Sequence, residues 1–261
     1  MATIEETRPE QMQVDELQPA STDEALWRDD PRLARVPAVH AETLIAAGSR
    51  AVIVAPHPDD EVLGCAGLLM HLAQLGHPIL LVAVSDGEKS HHQDSVLSPG
   101  LLSHLRPAET TQALSLLGIS DITIIRAQLP DSDVAGHRTK LQDLLGAYLL
   151  PGDTLFASWQ FDGHPDHEAV GQACREAARA LGCRLIEMPI WMWHWRTPDD
   201  AGIPWQRARK LELDEPMQER KKAALACYRS QLEPDQSTGN AAILPPEVLA
   251  HFHRPFEVFF V

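Results

Sequence analysis

The feature that most constrains this chain is a regular alternation of short, near-continuous apolar runs with longer amphipathic stretches. Ala51 to Ala55, Ile79 to Val84, Ile122 to Ile125 and Thr154 to Ala157 each read as a strand. Such unbroken apolar character suits strands covered on both faces. Between them, Glu61 to Leu75 closes at Gly76, Leu102 to Leu117 closes at Gly118, and Arg138 to Leu149 stops before Pro151 and Gly152. A further stretch, Pro165 to Leu181, stops at Gly182. Glycine and proline in these places are the terminators of helices. Strand and helix in this rhythm describe βα units around a largely parallel sheet. Leu185 to Trp195 is expected as another strand, Pro216 to Arg229 as a helix, and Phe256 to Phe260 as the strand that closes the sheet. The expected fold is α/β: a Rossmann-like, doubly wound, mostly parallel sheet with helices on both faces. In such folds ligands bind beyond the carboxyl ends of the strands.

No internal repeat or low-complexity linker interrupts the chain after residue 40, so residues 25–261 are expected as a single domain. Residues 1–24 are rich in Glu, Asp and Gln and poor in large apolar groups, and are expected as a mobile or loosely docked acidic arm. Lys and Arg number 22 against 37 Asp and Glu, a formal charge of −15. That balance disfavours nucleic acid and anionic membrane surfaces as partners and favours a small-molecule substrate. Homo-oligomerisation is left open. No apolar run approaches the roughly 18 residues of a membrane span, and the N-terminus lacks the basic-then-apolar layout of a signal peptide. Cys65, Cys174, Cys183 and Cys227 are scattered through stretches read as helix, which suits buried, reduced thiols. The expectation is a cytoplasmic protein.

Two histidine-carboxylate clusters fall where the fold wants a site. Pro56-His57-Pro58-Asp59-Asp60-Glu61 follows the first strand, and His164-Pro165-Asp166-His167 follows the fourth. Side chains in one tight turn leave in different directions, so at most two of His57, Asp59 and Asp60 can reach one ion, and the third is left to act on water. Pro165 suits the first turn of a helix and keeps His164 and His167 near its start, where one can bind metal while the other faces substrate. Two imidazoles and a carboxylate form a recurrent catalytic zinc set with a coordination position open for water. Taken singly, an HxxH pair is as often structural as functional, and Asp at a strand end is a common helix cap. It is their meeting at two strand ends that points to a reaction centre.

The run Ala55-Pro56-His57-Pro58-Asp59-Asp60-Glu61-Val62-Leu63-Gly64, with His164-Pro165-Asp166-His167 further on, resembles the PIG-L family, also called LmbE-like proteins. The resemblance covers roughly residues 50 to 235. It implies a metal-dependent deacetylase of N-acetylglucosamine-type sugars and related conjugates. Carried over by position, it implies His57, Asp60 and His167 as metal ligands, Asp59 as general base and His164 as oxyanion stabiliser, a role in which a protonated imidazole is expected. It further implies Arg106, in an RxxE element with Glu109, and Asp131 as sugar contacts. Zinc is the implied ion, with Fe2+ and other divalent cations as alternatives. Asp162 or Asp166 is expected to orient His164. Ser158 to Gly163 lacks the tyrosine that thiol-sugar deacetylases of the family carry, and Tyr228 stands where members have a His.

The alternative reading is an accessory protein that binds metal or sugar but has lost hydrolysis. Gly64 and Gly67 fall inside a helix instead of a GxGxxG turn, which argues against a dinucleotide cofactor. Trp191, Trp193 and Trp195 are expected to share one face of a strand, packed as an aromatic face more readily than stacked on a sugar.

Overall fold

The computed structural model describes residues 21–261. Among them eight strands form one sheet: β1 (Ala38–Val39), β2 (Ala51–Ala55), β3 (Ile79–Ala83), β4 (Thr123–Arg126), β5 (Thr154–Ser158), β6 (Arg184–Met188), β7 (Ala208–Glu212) and β8 (Phe256–Phe260). The helices are α1 (Glu24–Arg28), α2 (Pro31–Ala34), α3 (Ala41–Leu44), α4 (Asp60–Gln74), α5 (Pro99–Leu116), α6 (Arg138–Tyr148), α7 (Pro165–Leu181), α8 (Met192–Trp195), α9 (Glu215–Leu225), α10 (Arg229–Leu232) and α11 (Pro246–Ala250).

The strand order is β1-β7-β8-β6-β5-β2-β3-β4. From β2 the chain winds outward through β3 to β4 on one side, then returns to β5 on the other and moves on to β6. β2 pairs in parallel with both β3 and β5, so the two central strands flank the point where the winding reverses. At such a switch point the loops after neighbouring strands part and leave a crevice.

Alternation along the strands builds two cores. Ala51, Ile53, Ala55, Leu81 and Phe156 face one side with α4, α5 and α9, while Val52, Val54, Leu80, Val82 and Leu155 face the other with α6 and α7. Both layers are thus covered, as the unbroken apolar runs require. α7 ends in a residue that must turn left-handed, and Gly182 meets this at φ 71°.

Three expectations need correction. Phe256–Phe260 does not close the sheet: β8 lies inside it, antiparallel to both β6 and β7. The edge beyond it is made by β7 and the two-residue β1, whose short and mixed sequences gave no strand pattern. The strand expected from Leu185 to Trp195 stops at Met188, and the tryptophans lie on the turn of α8. A helical turn separates residues that a strand would align, so Trp193 is buried while Trp191 and Trp195 are half-buried. Cys183 and Cys227 lie just beyond helix ends, and no disulfide links the cysteines of the described residues.

α4 carries a break at Cys65 (φ −149°, ψ 28°). The break frees backbone groups that a buried ion pair satisfies. Glu257 accepts from the Gly67 and Leu68 amides at 2.8 and 3.0 Å, and Lys221 donates to the Leu63 carbonyl at 2.9 Å and to Glu257 at 2.8 Å. Most of the arm expected over residues 1–24 lies outside the described residues. Its last part is docked: the Thr22 amide donates to the His194 carbonyl at 2.9 Å, and Glu24 pairs with Arg254 and His251. No helix of the described residues is long and apolar enough to cross a membrane.

Candidate active site

Both motifs sit at the switch point, after β2 and β5. Their residues are held by different parts of the chain.

In the first motif, Asp59 occupies the N-cap of α4 with φ 120°, a positive value that is strained for a residue with a Cβ. The surroundings enforce it. Its amide donates to Glu61 Oε2 at 3.2 Å, and Glu61 Oε1 accepts from the Tyr228 hydroxyl at 2.6 Å and from Thr110 at 2.9 Å. On the other side Arg106 donates to Asp59 Oδ2 at 3.0 Å, the Pro58 carbonyl at 2.7 Å and the Gly87 carbonyl at 2.8 Å. Burial pushes the Asp59 carboxyl up to about 8; Arg106 opposes the rise, and the neighbouring Asp60 and Glu61 charges add to it. A proton-accepting group with a pKa near the working pH is suited to general base chemistry.

Asp60 turns the other way. Its Oδ2 accepts from the His57 amide at 2.9 Å and lies 3.2 Å from His167 Nε2 and 3.4 Å from His57 Nδ1. Burial works to raise this carboxyl, but His167 and His57 outweigh it and hold it below the usual carboxylate range. The ligand atoms of His57, Asp60 and His167 all lie within 4.8 Å of one another. His167 Nε2 is buried and has no hydrogen-bond partner among the described residues, although Asp60 is near it. A buried imidazole nitrogen aimed at a carboxylate and a second imidazole without bonding either is the arrangement a divalent cation would complete. The donor set fits such an ion.

In the second motif, His164 is the N-cap of α7, and its Nδ1 accepts from the Asp166 amide at 3.2 Å. This bond assigns the proton of the neutral ring to Nε2. Burial holds the ring down to about 3, with the charges of His167 and His57 adding to the effect. His164 is therefore neutral at neutral pH, not protonated as expected, and its Nε2–H remains a hydrogen-bond donor. Its orientation also differs from expectation. Asp162 Oδ2 meets His167 Nδ1 at 2.9 Å, and Asp166 Oδ2 meets His57 Nε2 at 3.2 Å. Neither carboxylate orients His164.

Arg106 and Asp131 both come to the site, but each touches protein groups. Arg106 is buried beneath the Pro58-Asp59 turn. Asp131 Oδ1 lies 3.3 Å from His57 Nε2, and its other oxygen accepts from the Lys89 amide at 2.8 Å. Glu109 does not face the crevice: it accepts from the Ser230 amide and hydroxyl at 2.9 and 2.7 Å and so fixes α10. Glu61 was visible as part of the first motif, whereas Thr110 and Tyr228 carried no signal of their contact with it.

The chain is thus an open α/β sheet with a His-Asp cluster of metal-ligating geometry at its switch point. Residues 52–178, which carry both motifs, match the family described as PIG-L: GlcNAc-PI de-N-acetylase. The chain is 28% identical over 134 residues to the probable N-acetyl-alpha-D-glucosaminyl L-malate deacetylase 2 of Bacillus anthracis, covering 50% of this chain and 59% of the relative. It is 27% identical over 157 residues to the N-acetylglucosaminyl-phosphatidylinositol de-N-acetylase of Bos taurus, covering 56% of this chain and 58% of that protein. The chain thus spans less than two thirds of either relative. The solved N,N'-diacetylchitobiose deacetylase of Pyrococcus horikoshii shares the fold at a TM-score of 0.50 and 22% identity, over 70% of this chain and 71% of that one.

Proposed function

We propose that this protein is a metal-dependent hydrolase that removes an acetyl or related acyl group from the amide nitrogen of an N-acetylglucosamine-type sugar or conjugate. The observation that carries the reading is the convergence of His57, Asp60 and His167 around an unpartnered imidazole nitrogen, with Asp59 and His164 beside them. In this reading His57, Asp60 and His167 hold the ion, with zinc favoured and ferrous iron an alternative. When bound, such a cation lowers the pKa of water and polarises the acyl carbonyl. Asp59 Oδ, held by Arg106, takes the proton from the attacking water and can pass it to the leaving amine. His164 Nε2–H donates to the carbonyl oxygen as negative charge develops there, a contact worth on the order of 3 kcal/mol in comparable sites. Arg106 and Asp131 act through Asp59 and His57, which they touch.

The test is a panel of N-acylated amines and amino sugars assayed with zinc- and iron-loaded protein, beside Asp59→Asn. The expected result is release of free amine by the parent protein and retention of metal without turnover by the variant. Full metal binding with no hydrolysis of any amide by the parent would favour the accessory-protein reading instead.

A further inference from the structure

α8 brings together two indole rings that a strand would have aligned with a third. Trp191 caps the helix and Trp195 follows four residues later, so both lie on one side of the turn. Their rings are stacked, with centroids 4.9 Å apart and planes 16° from parallel. His164 joins them: its ring is inclined 11° to Trp195 and 25° to Trp191, each 6.2 Å away between centroids. The other tryptophans of this region behave differently. Trp27 and Trp193 are buried, pack edge to face at 4.9 Å, and donate to the carbonyls of Trp193 and Pro189. Trp191 and Trp195 are half-buried and their indole N–H groups donate to no group of the described residues.

This pair is also tied to the reaction centre. Asp162, whose Oδ2 meets His167, accepts from the amides of Ile190, Trp191 and Met192 at 2.9, 2.9 and 3.1 Å. One carboxylate therefore sets both the His167 ring and the start of α8. Gly163, at φ 92°, lets the second motif pass beneath Trp195: a Cβ at residue 163 would lie 2.9 Å from Trp195 Cε3. Phe161, 52% exposed, stands on the same loop.

We propose that Trp191 and Trp195 form a ring-binding subsite beside His164, which takes the apolar C–H face of a sugar ring carried by the leaving amine. The inference rests on the hydrolase reading for its choice of ligand. Flat, stiff aromatic side chains with a free polar edge contact a ring at little entropic cost and leave its hydroxyls to polar neighbours. Trp27 and Trp193, inside the core, have their N–H groups satisfied, whereas Trp191 packs against the core only at its margin.

The test separates binding from turnover. Binding of N,N'-diacetylchitobiose and of acyclic N-acetylethanolamine is measured by calorimetry with Trp191→Ala, Trp195→Ala and the corresponding Phe variants. Melting temperatures within a few degrees of the parent establish that each variant is folded. The expected result is a roughly tenfold weaker Kd for the disaccharide in each Ala variant, substantial recovery in the Phe variants, and no change for the acyclic amide. An unchanged disaccharide Kd in both Ala variants overturns the subsite, as does a parent protein that shows no preference for the disaccharide. Because the readout is binding, loss of the hydrolase reading through absent turnover would leave a positive result standing.

Discussion

Asp162 Oδ2 lies 2.9 Å from His167 Nδ1, and both side chains are fully buried. This contact fixes the imidazole so that Nε2 faces Asp60 and His57. Removing it should free the ring and break the cap on α8 together. Asp162→Ala is expected to weaken zinc binding by about 10- to 100-fold, as for other carboxylates behind histidine ligands. Titration against a competing chelator checks this, and unchanged affinity would count against His167 as a ligand.

Asp59 is predicted to be a base and not a ligand. Asp59→Asn should lower turnover by about 10²- to 10⁴-fold while leaving the metal content of desalted protein unchanged. The same residue makes a pH-dependent contribution to stability. Its folded pKa of about 8 lies above the unfolded value of about 3.9. The folded state therefore binds the proton more tightly. The contribution is complete below about pH 3.9 and is lost as pH rises through about 8. The metal-free parent should lose stability relative to Asp59→Asn between about pH 5 and 8, read from paired urea denaturation curves.

Tyr228→Phe removes the 2.6 Å hydrogen bond to Glu61, the carboxylate that holds the Asp59 amide. We expect a loss of about 1–2 kcal/mol in unfolding free energy and a fall in kcat with little change in metal affinity. A variant with parental kcat would show that Thr110 and Arg106 suffice to keep Asp59 in place.

Lys221→Met leaves Glu257 charged and buried against the broken segment of α4. Unpaired buried charges of this kind cost about 3–5 kcal/mol, so chemical denaturation should show a loss of that order. Replacing both residues with apolar ones should not restore stability fully, since the Gly67 and Leu68 amides would then lack acceptors.

Much of the site could be read from sequence because its chemistry is local. His57, Asp59 and Asp60 sit in one turn after an unmistakable strand, and Pro165 marks the helix start that keeps His164 and His167 together. The apolar runs likewise specified the central strands, which need cover on both faces whatever lies around them. β1 and β7 gave no strand pattern, and β8, legible as a strand, was misplaced in the sheet. Their place depends on pairing between distant segments, and a short strand at the start of such a segment has no periodicity to announce it.

What the chain alone determined is the set of candidate site residues and the βα frame that carries them to two strand ends. Tertiary structure decided how those residues divide. Asp166 faces His57 only because β5 and β2 are neighbours, and Asp162, five residues before His167 in the same segment, is the carboxylate that faces that ring. It also decided that Trp191 and Trp195 flank His164 while Trp193 enters the core. Leu185 to Trp195 could have continued as a strand, but Asp162 holds three successive amides at its end and turns them into a helix. Contacts between residues far apart in the chain settle such choices, and no local pattern encodes them.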